Sequence, residues 1–220
     1  IWNEDFVYAT NWLPLTFSIN DGKWFDINNA EIISIERNLD LKTGLLTRLL
    51  KVRDGNGNET FIESSRFTSM ADPHLSVMQY SVKPLNYSGK ITIKTGINGA
   101  IINDGVERYK SLNQQHLKPV DQGAKGNRQF VAVSTTQSGI IIAEAADNIF
   151  YYHGKNSAVQ LANEVLPSAV YGIASFAVKQ EEAISVVKKV AVYTSKPDDV
   201  TGPLAYAFST LDNSSPSFEK

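Results

Sequence analysis

The residues ERNLDLKTGLLTR, Glu36 to Arg48, join two runs of alternating apolar side chains. The polar connection between the runs contains Gly44, and glycine readily adopts the positive φ that a tight turn needs. Apolar residues recur at even spacings on both sides, which is typical of one face of a strand. They are Ile33 and Ile35 before the turn, and Leu46, Leu50 and Val52 after it. The stretch therefore predicts a β-hairpin.

The same hairpin brings charged side chains close together. They are Arg37, Asp40, Lys42 and Arg48. We expect Arg37, Asp40 and Arg48 to form one cluster of ion pairs and hydrogen bonds. Exposed ion pairs usually contribute only about 0 to 1 kcal/mol, so we interpret the cluster as a fastening of the hairpin and not as a site of chemistry.

The composition is that of an ordinary globular protein, with 42% hydrophobic and 20% charged residues. A net charge of -2 provides no attraction for nucleic acid or for an anionic membrane, and neither is an expected partner. No apolar run approaches the roughly 18 residues that cross a bilayer. The chain has no cysteine, which fits a cytoplasmic and a periplasmic protein equally, so its compartment stays unknown.

The rest of the chain predicts about a dozen short strands joined by Gly, Asn and Asp turns. We expect residues 1–12 to form an irregular leader, Leu112 to Gln129 a long polar loop and Ala158 to Val165 a helix. Pro203 to Leu211 is expected to pack as a strand or a short helix. With so little helix, the pattern indicates an all-β fold, a large antiparallel β-sandwich of two sheets formed by residues 1–211 as one domain.

Three segments carry a resemblance to a known family. They are RNLDLKTGLLTR at Arg37 to Arg48, SRFTSMADPHL at Ser65 to Leu75, and AVYTS at Ala191 to Ser195. In this order they resemble the N-terminal domain of glycoside hydrolase family 65, in a match from about Leu13 to Ser195. That family contains inverting phosphorylases of maltose, trehalose and kojibiose together with some hydrolases. The resemblance implies a supersandwich similar to galactose mutarotase.

The resemblance also implies where the chemistry of the parent enzyme lies. In family 65 the catalytic residues belong to a later (α/α) barrel domain, and we interpret residues 212–220 as the start of a linker to it. The 220 residues alone are therefore expected to be non-catalytic and without a cofactor, to support the catalytic domain and to take part in dimerisation. Further implied partners are an α-linked disaccharide and, for a phosphorylase, inorganic phosphate as co-substrate.

A free-standing carbohydrate-binding or aldose-epimerase-like sandwich is the alternative function. Such an epimerase needs a histidine and a carboxylate that face each other across a sugar. His74 or His116 could pair with Glu63 or Glu144, but the spacing selects no pair. The sequence also leaves open the choice between phosphorylase and hydrolase, and the linkage of the disaccharide.

The segment before Leu75 contains the clearest candidates for a functional site, which are Arg66, Asp72 and His74. We expect this segment at an edge of the sandwich that faces the catalytic domain, where the three residues contribute to its pocket. A histidine after Asp-Pro at the start of a strand is more often partly buried and held by a backbone carbonyl. That structural role is the alternative for His74.

Two other groups of residues are expected to have no catalytic role. His74, His116 and His153 are too dispersed to provide the converging ligands of a metal site, so no metal is expected. Aromatic residues such as those from Phe150 to Tyr152 are expected to pack in the core or against a neighbouring domain, because most aromatic side chains of a β-sandwich do so.

Overall fold

A computed structural model of the chain describes residues 8–104, 114–197 and 200–214. In chain order the strands are β1 Leu15–Ile19, β2 Glu31–Asp40, β3 Leu45–Arg53, β4 Glu59–Thr68, β5 Leu75–Pro84, β6 Gly89–Asn98, β7 Leu117–Lys125, β8 Arg128–Thr135, β9 Ile141–Tyr152, β10 Lys155–Asn156, β11 Ala162–Leu166, β12 Ala169–Val178 and β13 Ile184–Thr194. A 3-10 turn covers Ile27–Asn29, and helix α1 spans Pro203–Asn213. Of the predicted irregular leader, residues 1–7 lie outside the described residues.

The strands form two antiparallel sheets that pack face to face. The smaller sheet has the order β1-β6-β12-β11, and the larger has the order β2-β3-β4-β5-β13-β9-β8-β7 with β10 paired to β9. Successive side chains of a strand point to opposite faces, so each sheet contributes one apolar face to the interior. The prediction of an all-β, two-sheet antiparallel sandwich with little helix is confirmed.

The predicted hairpin from Glu36 to Arg48 is formed by β2 and β3. Gly44 takes a φ of 70°, and its N–H donates to the carbonyl oxygen of Asp40 at 2.8 Å, which closes the turn. A β-bulge between Ile32 and Ser34 shifts the register once. Strand β2 is an edge of the larger sheet, and every residue in it is exposed.

The main core lies between the sheets and joins apolar side chains of both. Phe150 of β9 is fully buried, and its ring centroid lies 5.7 Å from that of Phe176 of β12 in the other sheet. Other large side chains of this cluster are Phe17, Leu50, Ile62, Tyr80, Ile91 and Ile93. Burial of apolar area in this layer is the main stabilising contribution that the two sheets make to each other.

Buried polar side chains also connect the sheets. The hydroxyl of Thr95 in β6 donates to Oδ1 of Asn148 in β9 at 2.9 Å. Nε2 of Gln129 in β8 donates to Oδ1 of Asn163 in β11 at the same distance. Asn148 and Gln129 are almost fully buried, so these bonds satisfy groups that would otherwise lose their hydration without compensation. These bonds hold the two sheets in a fixed position relative to each other.

The prediction of a long polar loop from Leu112 to Gln129 is wrong for its described part. Residues Leu117–Lys125 form β7, which pairs with β8 through a turn in which Gly126 has a φ of 59°. Strand β7 is the other edge of the larger sheet, and most of its side chains are exposed. A strand that is exposed in this way lacks the apolar alternation by which strands are recognised.

The predicted helix from Ala158 to Val165 is also wrong. Residues Ala162–Leu166 form β11, the edge strand of the smaller sheet, and residues 158–161 precede it without regular structure. The leading residues of this stretch have good helix propensity, but propensity is a weak preference that pairing with β12 overrides. The undecided segment from Pro203 to Leu211 belongs to α1.

Helix α1 packs on the outer face of the larger sheet. Ala145 of β9 and Ala191 of β13 are cross-strand partners, and their small side chains allow Ala207 and Leu211 of the helix to approach closely. Pro203 occupies the first helical position, where its missing N–H costs nothing. The helix thereby covers apolar surface of the sheet on the side away from the main core.

An ion-pair network fastens α1 to the sheet. Arg128 of β8 contacts Asp147 of β9 through Nε at 2.7 Å, and Asp212 of α1 through Nη2 at 2.8 Å. Both carboxylates raise the pKa of the Arg128 guanidinium, and Asp147 has the larger effect.

Asp212 is the first residue of the stretch that we predicted as a linker. Residues 215–220 of that stretch lie outside the described residues, and the domain boundary stays a prediction.

Candidate functional site

Three arginines line one cavity of about 370 Å³. Arg37 belongs to β2, Arg48 to β3 and Arg66 to β4. The other side chains of its wall are Leu13, Leu15, Leu46, Ser64, Met78 and Tyr80. Because Leu15 lies in the smaller sheet and the arginines lie in the larger one, the cavity opens between the two sheets. We refer to it as the arginine cavity.

Two neighbouring rows of cross-strand partners form the wall that the larger sheet contributes. The first row is Arg37, Arg48, Ser64 and Tyr80, and the second is Leu46, Arg66 and Met78. Directly opposed residues on one face of an antiparallel pair have Cβ atoms about 4.5 to 5.5 Å apart. The register of four strands therefore brings the three guanidinium groups to one place.

The alternation of the sequence already contained a signal for this arrangement. Arg48 lies between Leu46 and Leu50 at even spacing, which assigns it to the face that points into the sandwich. We had grouped Arg66 with Asp72 and His74 because they are close in sequence. The strand register instead places Arg66 beside Arg48.

The arginine cavity is positively charged. Within residues 8–104, 114–197 and 200–214, none of its three guanidinium groups forms an ion pair with a carboxylate. Nε of Arg48 is buried and has no hydrogen-bond partner in that part of the chain. Burial raises the pKa of Tyr80, an effect that the charge of Arg48 opposes, and the Tyr80 hydroxyl stays protonated at neutral pH.

Asp40, the third member of the predicted hairpin cluster, organises the turn. One carboxylate oxygen accepts a hydrogen bond from the backbone N–H of Lys42 at 2.9 Å, and the other accepts one from the hydroxyl of Thr43 at 2.8 Å. Arg37 and Arg48 are direct cross-strand partners nearby. A common cluster of Arg37, Asp40 and Arg48 stays a prediction.

The loop from Ser69 to His74 is held by its own polar groups. Asp72 accepts a hydrogen bond from the backbone N–H of His74 at 3.0 Å, and the hydroxyl of Ser69 accepts one from the N–H of Asp72 at 3.1 Å. Nδ1 of His74 lies 2.8 Å from the carbonyl oxygen of Val192, and its ring stacks on Tyr193 at 3.8 Å. These contacts favour the structural role for His74. A contribution of Arg66, Asp72 and His74 to the pocket of a catalytic domain stays a prediction.

A buried lysine joins the segment before β1 to both sheets. Nζ of Lys188 in β13 donates to the carbonyl oxygens of Trp12 and Gly96, both at 2.6 Å. Lys188 is fully buried, and this burial lowers the pKa of its amine to about 7. A neutral amine has two N–H bonds, which match the two carbonyl acceptors. The charge of Glu144 opposes this lowering of the pKa.

The carboxyl group of Glu144 in β9 is buried inside the sandwich. It is only 2% exposed, and burial raises its pKa to about 8, against the opposing charge of Lys188. Its Oε2 has no hydrogen-bond partner among the described residues. Glu63, the other carboxylate considered for an epimerase pair, is exposed on β4. The described residues thus place these two acids in different environments.

No group of three or more His, Cys, Asp or Glu side chains among the described residues could hold a metal ion. The helical residues that the structure describes include no segment long and apolar enough to cross a membrane.

The fold and the arginine cavity define the chain as an antiparallel β-sandwich domain with a basic cleft between its sheets. The chain belongs to glycosyl hydrolase family 65, because the model of the N-terminal domain of that family matches residues 1–220. The resemblance that we inferred from the sequence is therefore confirmed.

Curated relatives place the domain within much longer proteins. An uncharacterized glycosyl hydrolase of Mycobacterium tuberculosis is 35% identical over 153 residues, which cover 70% of this chain and 12% of the relative. The kojibiose phosphorylase of Halothermothrix orenii is 30% identical over 80% of this chain and 22% of its own length. For the α,α-trehalose phosphorylase of Thermoanaerobacter brockii the identity is 26%, over 87% of this chain and 25% of that protein. The chain thus spans about an eighth to a quarter of these relatives.

A solved structure has the same fold. A putative kojibiose phosphorylase from the human microbiome superposes with a TM-score of 0.77 over 94% of this chain and 25% of its own. Its sequence identity is 14%, so the similarity supports the fold alone.

Proposed function

We propose that this domain is the non-catalytic N-terminal sandwich of a family 65 glycosyl hydrolase or disaccharide phosphorylase that acts on α-glucosides, where it supports the catalytic domain and contributes to dimerisation. One observation carries the proposal. The named phosphorylases among its relatives are about four times longer than the segment that matches the chain, so most of each protein lies outside this domain. In such a protein an α-linked disaccharide would be the substrate, and in a phosphorylase inorganic phosphate would be the co-substrate.

Several of the described carboxylates form ion pairs with lysine or arginine, which supports a non-catalytic role for the domain. Asp147 pairs with Arg128, and Glu59 binds Lys51 at 2.7 Å and Arg53 at 2.6 Å. Glycoside cleavage requires a protonated acid and a second carboxylate that both reach the scissile bond. Glu144 holds its proton at neutral pH but is buried in the sandwich.

The 220-residue chain is expected to fold cooperatively and to show no phosphorolysis. Maltose, trehalose and kojibiose would each be offered with and without phosphate, and glucose, glucose phosphate and free phosphate would be measured against a buffer control. Turnover that is lost in Glu144→Gln or His74→Ala would contradict the proposal. Faster anomer exchange of glucose would instead support the epimerase-like alternative.

The exposed edge strand β2 supports the proposed contribution to dimerisation. Apolar side chains of β2 and the following turn are exposed, namely Ile32, Ile33, Ile35, Leu39 and Leu41. On its outer side no strand of the described residues pairs with β2, and the backbone N–H and C=O groups of an edge strand can pair with another strand. Two copies of β2 can pair about a twofold axis, because an antiparallel pair of identical strands is self-complementary.

We expect the chain to form a dimer at micromolar concentration and Ile35→Lys to shift it to the monomer. A charge on an edge strand disfavours pairing with another edge. The matched control is Val120→Lys on β7, the opposite edge of the same sheet, where Val120 is 52% exposed. Light scattering after size exclusion measures the mass. A monomeric parent chain, or equal effects of both substitutions, would rule out pairing through β2.

A further inference from the structure

We propose that the arginine cavity is a binding site for a phosphoryl group, carried either by inorganic phosphate or by a sugar phosphate. The cavity would bind such a group whether or not the parent protein is a phosphorylase, since the proposal depends only on the residues in its wall. The site would lie in the sandwich domain itself.

The charge of the cavity indicates an anionic ligand. Arg37 and Arg48 are directly opposed on neighbouring strands, and like charges in this position repel each other. Arg66 adds a third positive charge from the adjacent row. Among the described residues that line the cavity, none is acidic. A bound anion would therefore relieve the repulsion and supply the acceptor for the buried Nε–H of Arg48.

The donors in the wall favour a phosphoryl group over a carboxylate. A guanidinium group donates two parallel hydrogen bonds, which match two oxygens of a phosphate. Three such groups, with the hydroxyls of Ser64 and Tyr80, provide more donors than one carboxylate can accept. Tyr80 can contribute as a donor because a tyrosine hydroxyl is protonated at neutral pH.

The size and the apolar part of the wall allow a ligand larger than phosphate. The volume of about 370 Å³ falls at the lower end of the range for small-molecule sites, about 300 to 1,000 Å³. Leu13, Leu15 and Met78 offer apolar surface on which the ring of a hexose can lie. We therefore expect a hexose phosphate to bind at least as tightly as inorganic phosphate.

Titration of the 220-residue chain with glucose 1-phosphate and with inorganic phosphate tests the proposal. Calorimetry and ³¹P NMR line widths would be measured at constant ionic strength, with glucose as the uncharged control. We expect saturable binding with a Kd below about 1 mM for at least one of the phosphates, because several charge-assisted hydrogen bonds form together. Tighter binding of glucose 1-phosphate identifies a sugar phosphate as ligand, and equal affinities identify the phosphoryl group alone.

Substitutions at the mouth of the cavity locate the binding. Arg37→Gln and Arg66→Gln are each expected to raise Kd at least about tenfold, and Arg66→Lys to have an intermediate effect because a lysine keeps the charge but loses the planar fork. Both arginines are exposed, so these variants should fold, which circular dichroism would verify. Arg53→Gln is the matched control, since Arg53 lies on β3 in ion pairs with Glu31 and Glu59.

Three outcomes would overturn the proposal. They are the absence of saturable binding of both phosphates, an equal loss of affinity in Arg53→Gln and Arg66→Gln, and unchanged affinity in all arginine variants. Phosphorolysis by the chain would contradict the proposed function but not phosphate binding at these arginines, so the two proposals fail separately.

Discussion

Replacing Phe150 by alanine is expected to lower the free energy of unfolding by about 3 to 5 kcal/mol. Phe150 is fully buried between the sheets and contacts Phe176 of the opposite sheet. Truncation removes most of a large apolar side chain and leaves a space that the paired strands on both sides cannot close. The effect would therefore include a cavity term in addition to the lost transfer free energy.

Urea denaturation followed by circular dichroism would measure this loss. Phe150→Leu is the matched control, because it keeps much of the volume and is expected to cost less than about 1.5 kcal/mol. A loss below about 1 kcal/mol for Phe150→Ala would mean that this position is not part of a close-packed layer between the sheets.

The buried amine of Lys188 is expected to make the protein more stable as the pH rises from about 7 to 10.5. Its pKa in the folded protein is about 7, whereas the ordinary value is 10.5. Between these values the unfolded chain holds a proton that the folded protein has released, so stability increases with pH. For one proton the slope reaches about 1.4 kcal/mol per pH unit.

Glu144 has the opposite effect in a lower range of pH. Its pKa is about 8 in the folded protein and 4.5 ordinarily, so between these values the folded protein holds the extra proton and stability falls as the pH rises. The combined contribution of Lys188 and Glu144 to the free energy of unfolding is therefore lowest near pH 7 to 8.

Unfolding free energies measured from pH 5 to 9.5 would separate the two groups. Lys188→Met should remove the rise above pH 7, and Glu144→Gln should remove the fall below pH 8. The comparison is made as the difference between each variant and the parent protein, which cancels the contributions of other titrating groups. Parallel stability profiles of the parent and Lys188→Met would show that this amine does not change its pKa on folding.

The arginine cavity and the proposed support function concern different surfaces of one domain. The exposed apolar residues proposed for dimerisation belong to β2 and the turn after it. The cavity lies between the sheets, with Arg37 of β2 at its mouth. Binding of a phosphate beside Arg37 could therefore be tested for an influence on association through β2, with the same variants in both experiments.

The class of fold follows from local patterns in the sequence. Alternating apolar residues and glycine turns act locally, over a few positions, so they predicted the β2–β3 hairpin, the positive φ of Gly44 and the all-β sandwich. The family resemblance was also present in contiguous segments. The exceptions are the edge strands β7 and β11, whose short and mostly exposed sequences lack a clear apolar alternation, so the sequence predicts a loop for β7 and a helix for β11.

The contacts between distant side chains depend on the packing of the whole domain. Arg66 is distant from Arg37 in sequence, and the register of β2, β3 and β4 brings both to one cavity. The pairing of β13 with β5 and β9 likewise places Lys188 inside the sandwich, where burial changes its pKa. Strand register makes neighbours of residues that are far apart in the sequence, and the register depends on how all the strands pack together. A local pattern contains no information about the register.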